Sequence, residues 1–286
     1  MDAPFSEQPP RPRLMAARVL HDSLVPRATA ACRPAARFAQ AVGRVVNGVV
    51  SHETYAGAAR AANASGVTPR QARQNLADTA ACDASPLAAL FPPELTTRAF
   101  EQRWNALNKA ATFGVVTMVA SPGTETVSIR RTPRTSERDD RLRAALSEGC
   151  IEWLATRAAE DAHLGERALL ALSLRLGLDR SAVHEAAACL YAEPAADLEQ
   201  CATELAVSPR TLQRQLANDG LAFGVLRQAV RLTIAGQRMR GRRAESITAT
   251  AHAAGFYDSA HLTHAWQQAC GLAPSAWRAI AASPAS

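Results

Sequence analysis

The sequence predicts two units, a mixed α and β N-terminal half and an all-helical C-terminal part built on a tandem helix-turn-helix pattern. Three observations carry this expectation. The 286 residues exceed one ordinary domain of roughly 100–200 residues. Two short β-type runs lie in the first half, whereas everything after Pro194 reads as helices joined by short turns. The pattern of Asp197 to Gly220 also returns in Ser246 to Gly271.

The elements follow in order. Met1 to Arg13 is Pro-rich and polar, lacks the apolar core of a signal peptide, and leads a segment, 1–33, expected to be a disordered tail. Residues 34–193 form the expected N-terminal sensor or dimerisation domain. Within it, Pro34 to Val50 is apolar and fits helix or strand. Ser51 to Ala64 and Thr68 to Ala80 read as helices divided by Gly66. A helix from Glu94 or later runs through Trp104 to about Ala111. Phe113 to Val119 and Thr126 to Arg131 read as strands, with Ser121-Pro122-Gly123 as a hairpin connection. Helices are expected again over Arg141 to about Ala159 and Ser181 to Tyr191, while Leu169 to Leu176 fits either class. Glu193-Pro194-Ala195 breaks the pattern, and residues 194–286 form the expected C-terminal domain.

Composition narrows the class. Net charge is +6 with 20% charged residues, a globular balance that favours polyanionic partners mildly. Lys109 is the only lysine, so arginine abundance reflects codon bias and only its placement is informative. The six cysteines have no CxxC or Cys/His metal spacing, and no metal is expected. Such thiols suit a reducing cytoplasm, and no apolar run is long enough for a membrane span. No Gly-rich phosphate loop, HExxH or GxSxG occurs, so no catalytic residue is assigned.

The repeated pattern holds the chemistry. In DLEQCATELAVSPRTLQRQLANDG, Leu198, Cys201, Ala202 and Leu205 recur at helical spacing, and Val207 plugs the turn. Ser208 suits an N-cap and Pro209 the first helical position. Leu212 and Leu216 face inward. Arg210, Thr211, Gln213 and Arg214 are left outward, where Arg can donate a fork to guanine and Gln can pair with adenine. In SITATAHAAGFYDSAHLTHAWQQACG, Gly255 ends the first helix in a left-handed turn, Phe256 plugs it, and Asp258 or Ser259 caps the next. Leu262 and Trp266 point inward, while Ser259, Ala260, His261, Thr263 and His264 lie outward. Phe223 to Met239 joins the two units as one helix.

SPRTLQRQL, RLTIAGQRM, SITATAHAAGF, AHLTHAW and GLAPSAWR, spread over Leu198 to Arg278, together resemble the AraC-type DNA-binding domain of bacterial transcription regulators. The resemblance implies seven helices, sequence-specific binding of double-stranded promoter DNA through tandem recognition helices, and a separate N-terminal domain for effector sensing or dimerisation. It brings RNA polymerase, a small-molecule effector and a second copy of the chain into view as further partners. Its DNA-binding positions here are Arg210, Thr211, Gln213, Arg214, Ser259, His261, Thr263 and His264. Three residues depart from the family pattern: Ala206 stands where glycine is common, Gly236 interrupts the linker helix, and His264 replaces a frequent arginine.

Other readings compete. Arg44 to Asp161 is similar in element order to haem-nitric-oxide-binding and vinyl-reductase-like sensor folds. His21, His52, His163 and His184 lack a ligand motif, and no cofactor is expected. GVTPRQARQNLA, from Gly66, echoes AVSPRTLQRQLA, from Ala206, and a well-capped amphipathic helix accounts for it. An enzyme with an appended DNA-binding module and a non-specific architectural DNA binder remain the functional alternatives.

Overall fold

The computed structural model describes residues 13–25, 33–120, 128–136, 139–157, 167–241 and 245–282. The segment read as a tail is in part built into the fold. Strand β1 (Met15–Ala17) runs into helix α1 (Arg18–Asp22), and β1 pairs antiparallel with β2 (Val49–Ser51), Met15 opposite Ser51. The Pro and Arg content of the first residues concealed a short apolar run, Leu14 to Ala17, which completes this pair; Ala16 and Leu24 are buried. Residues 1–12 and 26–32 of the expected tail lie outside the described residues.

The apolar stretch from Pro34 divides into helix α2 (Pro34–Val46), opened by its proline, and β2. Helices α3 (His52–Ala64) and α4 (Pro69–Ala80) follow, separated by Gly66 at φ +77°. A reciprocal capping box between Thr68 and Gln71 starts α4. Helix α5 (Thr97–Ala110) lies against the hairpin of β3 (Val115–Ala120) and β4 (Ser128–Pro133). Strand β3 would leave an unpaired edge, and α5 side chains satisfy it. Asn105 accepts from Val119 N at 2.8 Å and donates back to its carbonyl. Asn108 accepts from Thr117 N at 2.9 Å, and the Trp104 indole donates to Thr117 O at 2.8 Å. The hairpin tip, Ser121-Pro122-Gly123, lies outside the described residues.

Helix α6 (Arg141–Thr156) packs along α4. Here the echo of the C-terminal pattern resolves as structure. Arg73 of α4, which stands where Gln213 stands in the later pattern, is ion-paired to Glu148 and Glu152 of α6.

The C-terminal part is helical throughout: α7 (Ala168–Arg175), α8 (Ala182–Ala192), α9 (Leu198–Glu204), α10 (Pro209–Asn218), α11 (Phe223–Arg240), α12 (Ile247–Ala253), α13 (Ser259–Cys270) and α14 (Pro274–Ala281). Six α-helices follow Pro194 among the described residues. Helix α8 precedes it and packs on α9, α10 and α11 with Val183, Ala186, Ala187 and Leu190 fully buried. Half-buried Pro194 is tied to this unit by its carbonyl, which accepts from Arg231 Nε of α11 at 2.8 Å. The two halves also share one core. Helix α2 covers the linker helix α11 with Phe38, Ala41, Val42 and Val45, and the Trp277 indole of α14 donates to Pro86 O at 2.8 Å.

Candidate functional site

The α9–α10 and α12–α13 pairs are built by the same local code. After α9 the chain turns through Ala206 at φ +53°, and after α12 through Gly255 at φ +78°. In both turns the next N–H reaches back into the preceding helix: Val207 N donates to Ala202 O at 3.0 Å and Phe256 N to Ala251 O at 2.9 Å. A side-chain oxygen then caps the following helix. Ser208 accepts from Thr211 N at 3.1 Å, and Asp258 accepts from His261 N at 2.7 Å.

Ala206 shows that alanine can hold the left-handed turn, at a cost of about 1–2 kcal/mol. Glycine would remove that cost but lose roughly 0.5–1 kcal/mol of chain entropy. Ala206→Gly is therefore expected to stabilise the protein by about 0.5–1 kcal/mol, read as a raised urea midpoint with unchanged slope; an unchanged or lowered midpoint would refute strain at this turn.

Helical geometry sets which side chains face out. Leu212 and Leu216 are fully buried, as are Leu262 and Trp266. Arg210, Gln213 and Arg214 lie within an arc of roughly 100° on the opposite side of α10, and Ala260, Thr263 and His264 take the same places on α13. Arg210, Gln213, Arg214, His261 and His264 are exposed; Thr211, Ser259 and Thr263 are half-buried. The side chains of Arg210, Gln213, Arg214 and His264 make no hydrogen bond or ion pair with any described residue. Three other candidates have local partners. The Thr211 and Ser208 hydroxyls lie 2.8 Å apart, Thr263 donates to Ser259 O at 2.7 Å, and the His261 ring stands edge-on to Phe256 at 5.2 Å.

Helix α11 holds the two units apart. Its 18 residues span about 27 Å at 1.5 Å per residue. Gly236 has a packing role in it, since a Cβ there would lie 3.2 Å from the Trp266 indole, so the large ring of α13 seats against bare backbone. Trp266 and Trp277 meet edge to face at 5.2 Å beneath both helices.

Two groups of residues behave differently from their sequence context. Cys189 and Cys201 lie twelve positions apart with no CxxC spacing, yet their sulfurs stand 2.7 Å apart between α8 and α9. Burial pushes the Cys150, Cys201 and Cys270 thiols up to about 12, so these three stay protonated at neutral pH. His21 Nδ1 lies 3.0 Å from Asp22, and His184 Nδ1 lies 2.8 Å from the Ser173 hydroxyl. His52 is buried, and His163 lies outside the described residues. Among the described residues no cluster of three or more His, Cys, Asp or Glu has metal-binding proximity, and no helix is long and apolar enough to cross a membrane.

Residues 201–280 match a protein-family model described as a helix-turn-helix domain. No curated protein matches the chain. Among solved structures, the chain is similar to a DNA-binding transcriptional dual regulator from Escherichia coli K-12, with 19% identity, 37% of this chain and 97% of that one covered, and a TM-score of 0.36. It is also similar to the transcriptional regulator CdpR from Pseudomonas aeruginosa, with 16% identity, 89% and 99% covered, and a TM-score of 0.33. At TM-scores below 0.5 neither overlay determines the fold of this chain.

Proposed function

From the premise that residues 201–280 are a helix-turn-helix domain of the AraC type, we propose that this protein is a sequence-specific, DNA-binding transcription regulator that reads two neighbouring major-groove segments. One observation carries the reading. The α9–α10 and α12–α13 pairs share the same turn, a side-chain N-cap at the same place and the same division of inward and outward positions, and α11 joins them as one helix of about 27 Å. Arg210, Gln213 and Arg214 contact base edges; Thr211, Ser259, His261, Thr263 and His264 complete the interface, with phosphates setting the register. The N-terminal half biases DNA binding through an effector or a second copy of the chain, and RNA polymerase is the downstream partner. We read the protein as cytoplasmic and non-enzymatic. The buried, protonated thiols of Cys150, Cys201 and Cys270 argue against thiolate nucleophiles at these three positions.

The test is selection of bound duplexes from a random DNA pool by the full chain. Enrichment of a site with two conserved segments about 10 base pairs apart supports this reading. Binding with strong salt dependence and no enriched sequence would replace it with an architectural role.

We place the start of the DNA-reading unit before α8 rather than at Pro194, because four fully buried side chains of α8 would otherwise be lost. A fragment from Arg167 onward is expected to unfold cooperatively at a higher urea midpoint than one from Pro194 onward. Equal midpoints would return the boundary to Pro194.

A further inference from the structure

Cys189 lies near the end of α8 and Cys201 in the middle of α9. The short connection through Glu193 and Pro194 folds α9 back onto α8 and brings the two sulfurs to 2.7 Å. Both are free thiols. At this separation they are in contact, so a bond between them asks for side-chain rotation and for no movement of either helix.

The two sulfurs differ in access. Cys201 is fully buried, whereas Cys189 is half-buried and forms part of the wall of an open groove between α8 and α9. Cys201 is not in that wall. A reagent arriving from solvent therefore meets the Cys189 sulfur first, with Cys201 directly behind it. The groove also carries Glu185, Glu193 and Glu204, whose side chains are ordinarily ionised at neutral pH. Their charge disfavours anionic oxidants, glutathione disulfide among them, and leaves the groove open to a neutral one such as hydrogen peroxide.

We propose that Cys189 and Cys201 are a peroxide-reactive thiol pair, with Cys189 oxidised first and Cys201 resolving it, and that the resulting disulfide ties α8 to the first helix-turn-helix pair. The Cys189 sulfur attacks one peroxide oxygen, the O–O bond breaks, and Cys189 sulfenic acid and water are formed. The Cys201 sulfur then bonds to the Cys189 sulfur as its S–O bond breaks, and the sulfenic hydroxyl leaves as water with the Cys201 proton. The two thiols give up two electrons, and the peroxide takes them up. Cys201 needs no free thiolate for this, since its proton departs in the same step. A cross-link of this kind in a reducing compartment is transient and is undone by a dithiol. The pair reacts whether or not the chain binds DNA.

The test treats the full chain with hydrogen peroxide, then unfolds it and blocks the remaining thiols with iodoacetamide. Cleavage at arginine leaves both cysteines in one peptide, 181–210. After peroxide that peptide is expected to have lost two hydrogens and to take up no label. Further cleavage after Glu193 should leave its parts joined, and dithiothreitol should separate them. Cys201→Ala should leave Cys189 as a sulfenic acid that dimedone captures, and Cys189→Ala should leave Cys201 unoxidised at the same dose. Urea unfolding reads the geometry: the oxidised wild type should have the higher midpoint, because the cross-link restricts the unfolded chain without distorting the folded one. If peptide 181–210 of the wild type still takes up label at both cysteines, the thiol pair is refuted whether or not the variants fold. Dimedone capture at Cys201 in place of Cys189 would overturn the order of attack. An unchanged or lowered midpoint would overturn the claim that neither helix moves.

Discussion

Replacing Gly255 by alanine is expected to destabilise the protein by about 2–5 kcal/mol. Two costs add. The residue sits at φ +78°, which costs a side-chain-bearing residue about 1–2 kcal/mol. A Cβ there would also lie 2.4 Å from the Pro194 carbonyl oxygen and 2.7 Å from its carbon. That carbonyl cannot retreat freely, because Arg231 Nε holds it from α11 at 2.8 Å. Overpacking against such a fixed neighbour costs about 1–3 kcal/mol more. Ala206 provides the internal control, since it carries the same left-handed turn in the first unit with a side chain present and an exposed surface. The measurement is urea unfolding of Gly255→Ala beside wild type, with DNA binding as a second readout. A loss below about 1 kcal/mol would mean that the Pro194 wall yields and that the turn tolerates alanine in both units.

The second large effect concerns unequal recognition helices. Arg210 and Arg214 carry permanent charge on an exposed arc of α10, whereas the matching places on α13 hold Ala260 and His264. Histidine lacks a permanent charge at neutral pH. Arg210→Ala or Arg214→Ala is therefore expected to cost about 1–3 kcal/mol of DNA binding and to relax preference at particular base pairs. His264→Ala should cost less and act evenly across sequences. His264→Arg should strengthen binding and steepen its salt dependence by up to about one phosphate contact. Binding isotherms on one selected duplex at several salt concentrations decide this. If His264→Ala abolishes specific binding while both arginine variants retain it, α13 rather than α10 dominates sequence choice.

Several features of the recognition domain were legible because they are local. A cap, a proline and a left-handed residue act within a few residues of themselves. Ser208 with Pro209, the Asp258–Ser259 pair, and Gly255 thus announced both helix starts and one turn, with the structure choosing Asp258 as the cap, and the leucines of α10 announced its buried face. Gly236 was legible only as a defect. Its reason is the Trp266 ring, which lies 30 positions further along the chain and on another helix.

What the sequence by itself determined is the repeated helix-turn-helix unit, the outward chemistry of α10 and α13, and the mixed character of the first half. These follow from periodicity and turn chemistry, which short windows contain. Only the tertiary structure decided the rest. It joined Met15 to Ser51 and so built part of the expected tail into a strand pair. It brought Cys189 to 2.7 Å from Cys201, laid α2 over α11, and packed α8 on α9, α10 and α11. Each of these depends on which apolar faces meet in three dimensions. Burial is satisfied by many alternative pairings, and a single sequence carries no local mark of the one adopted.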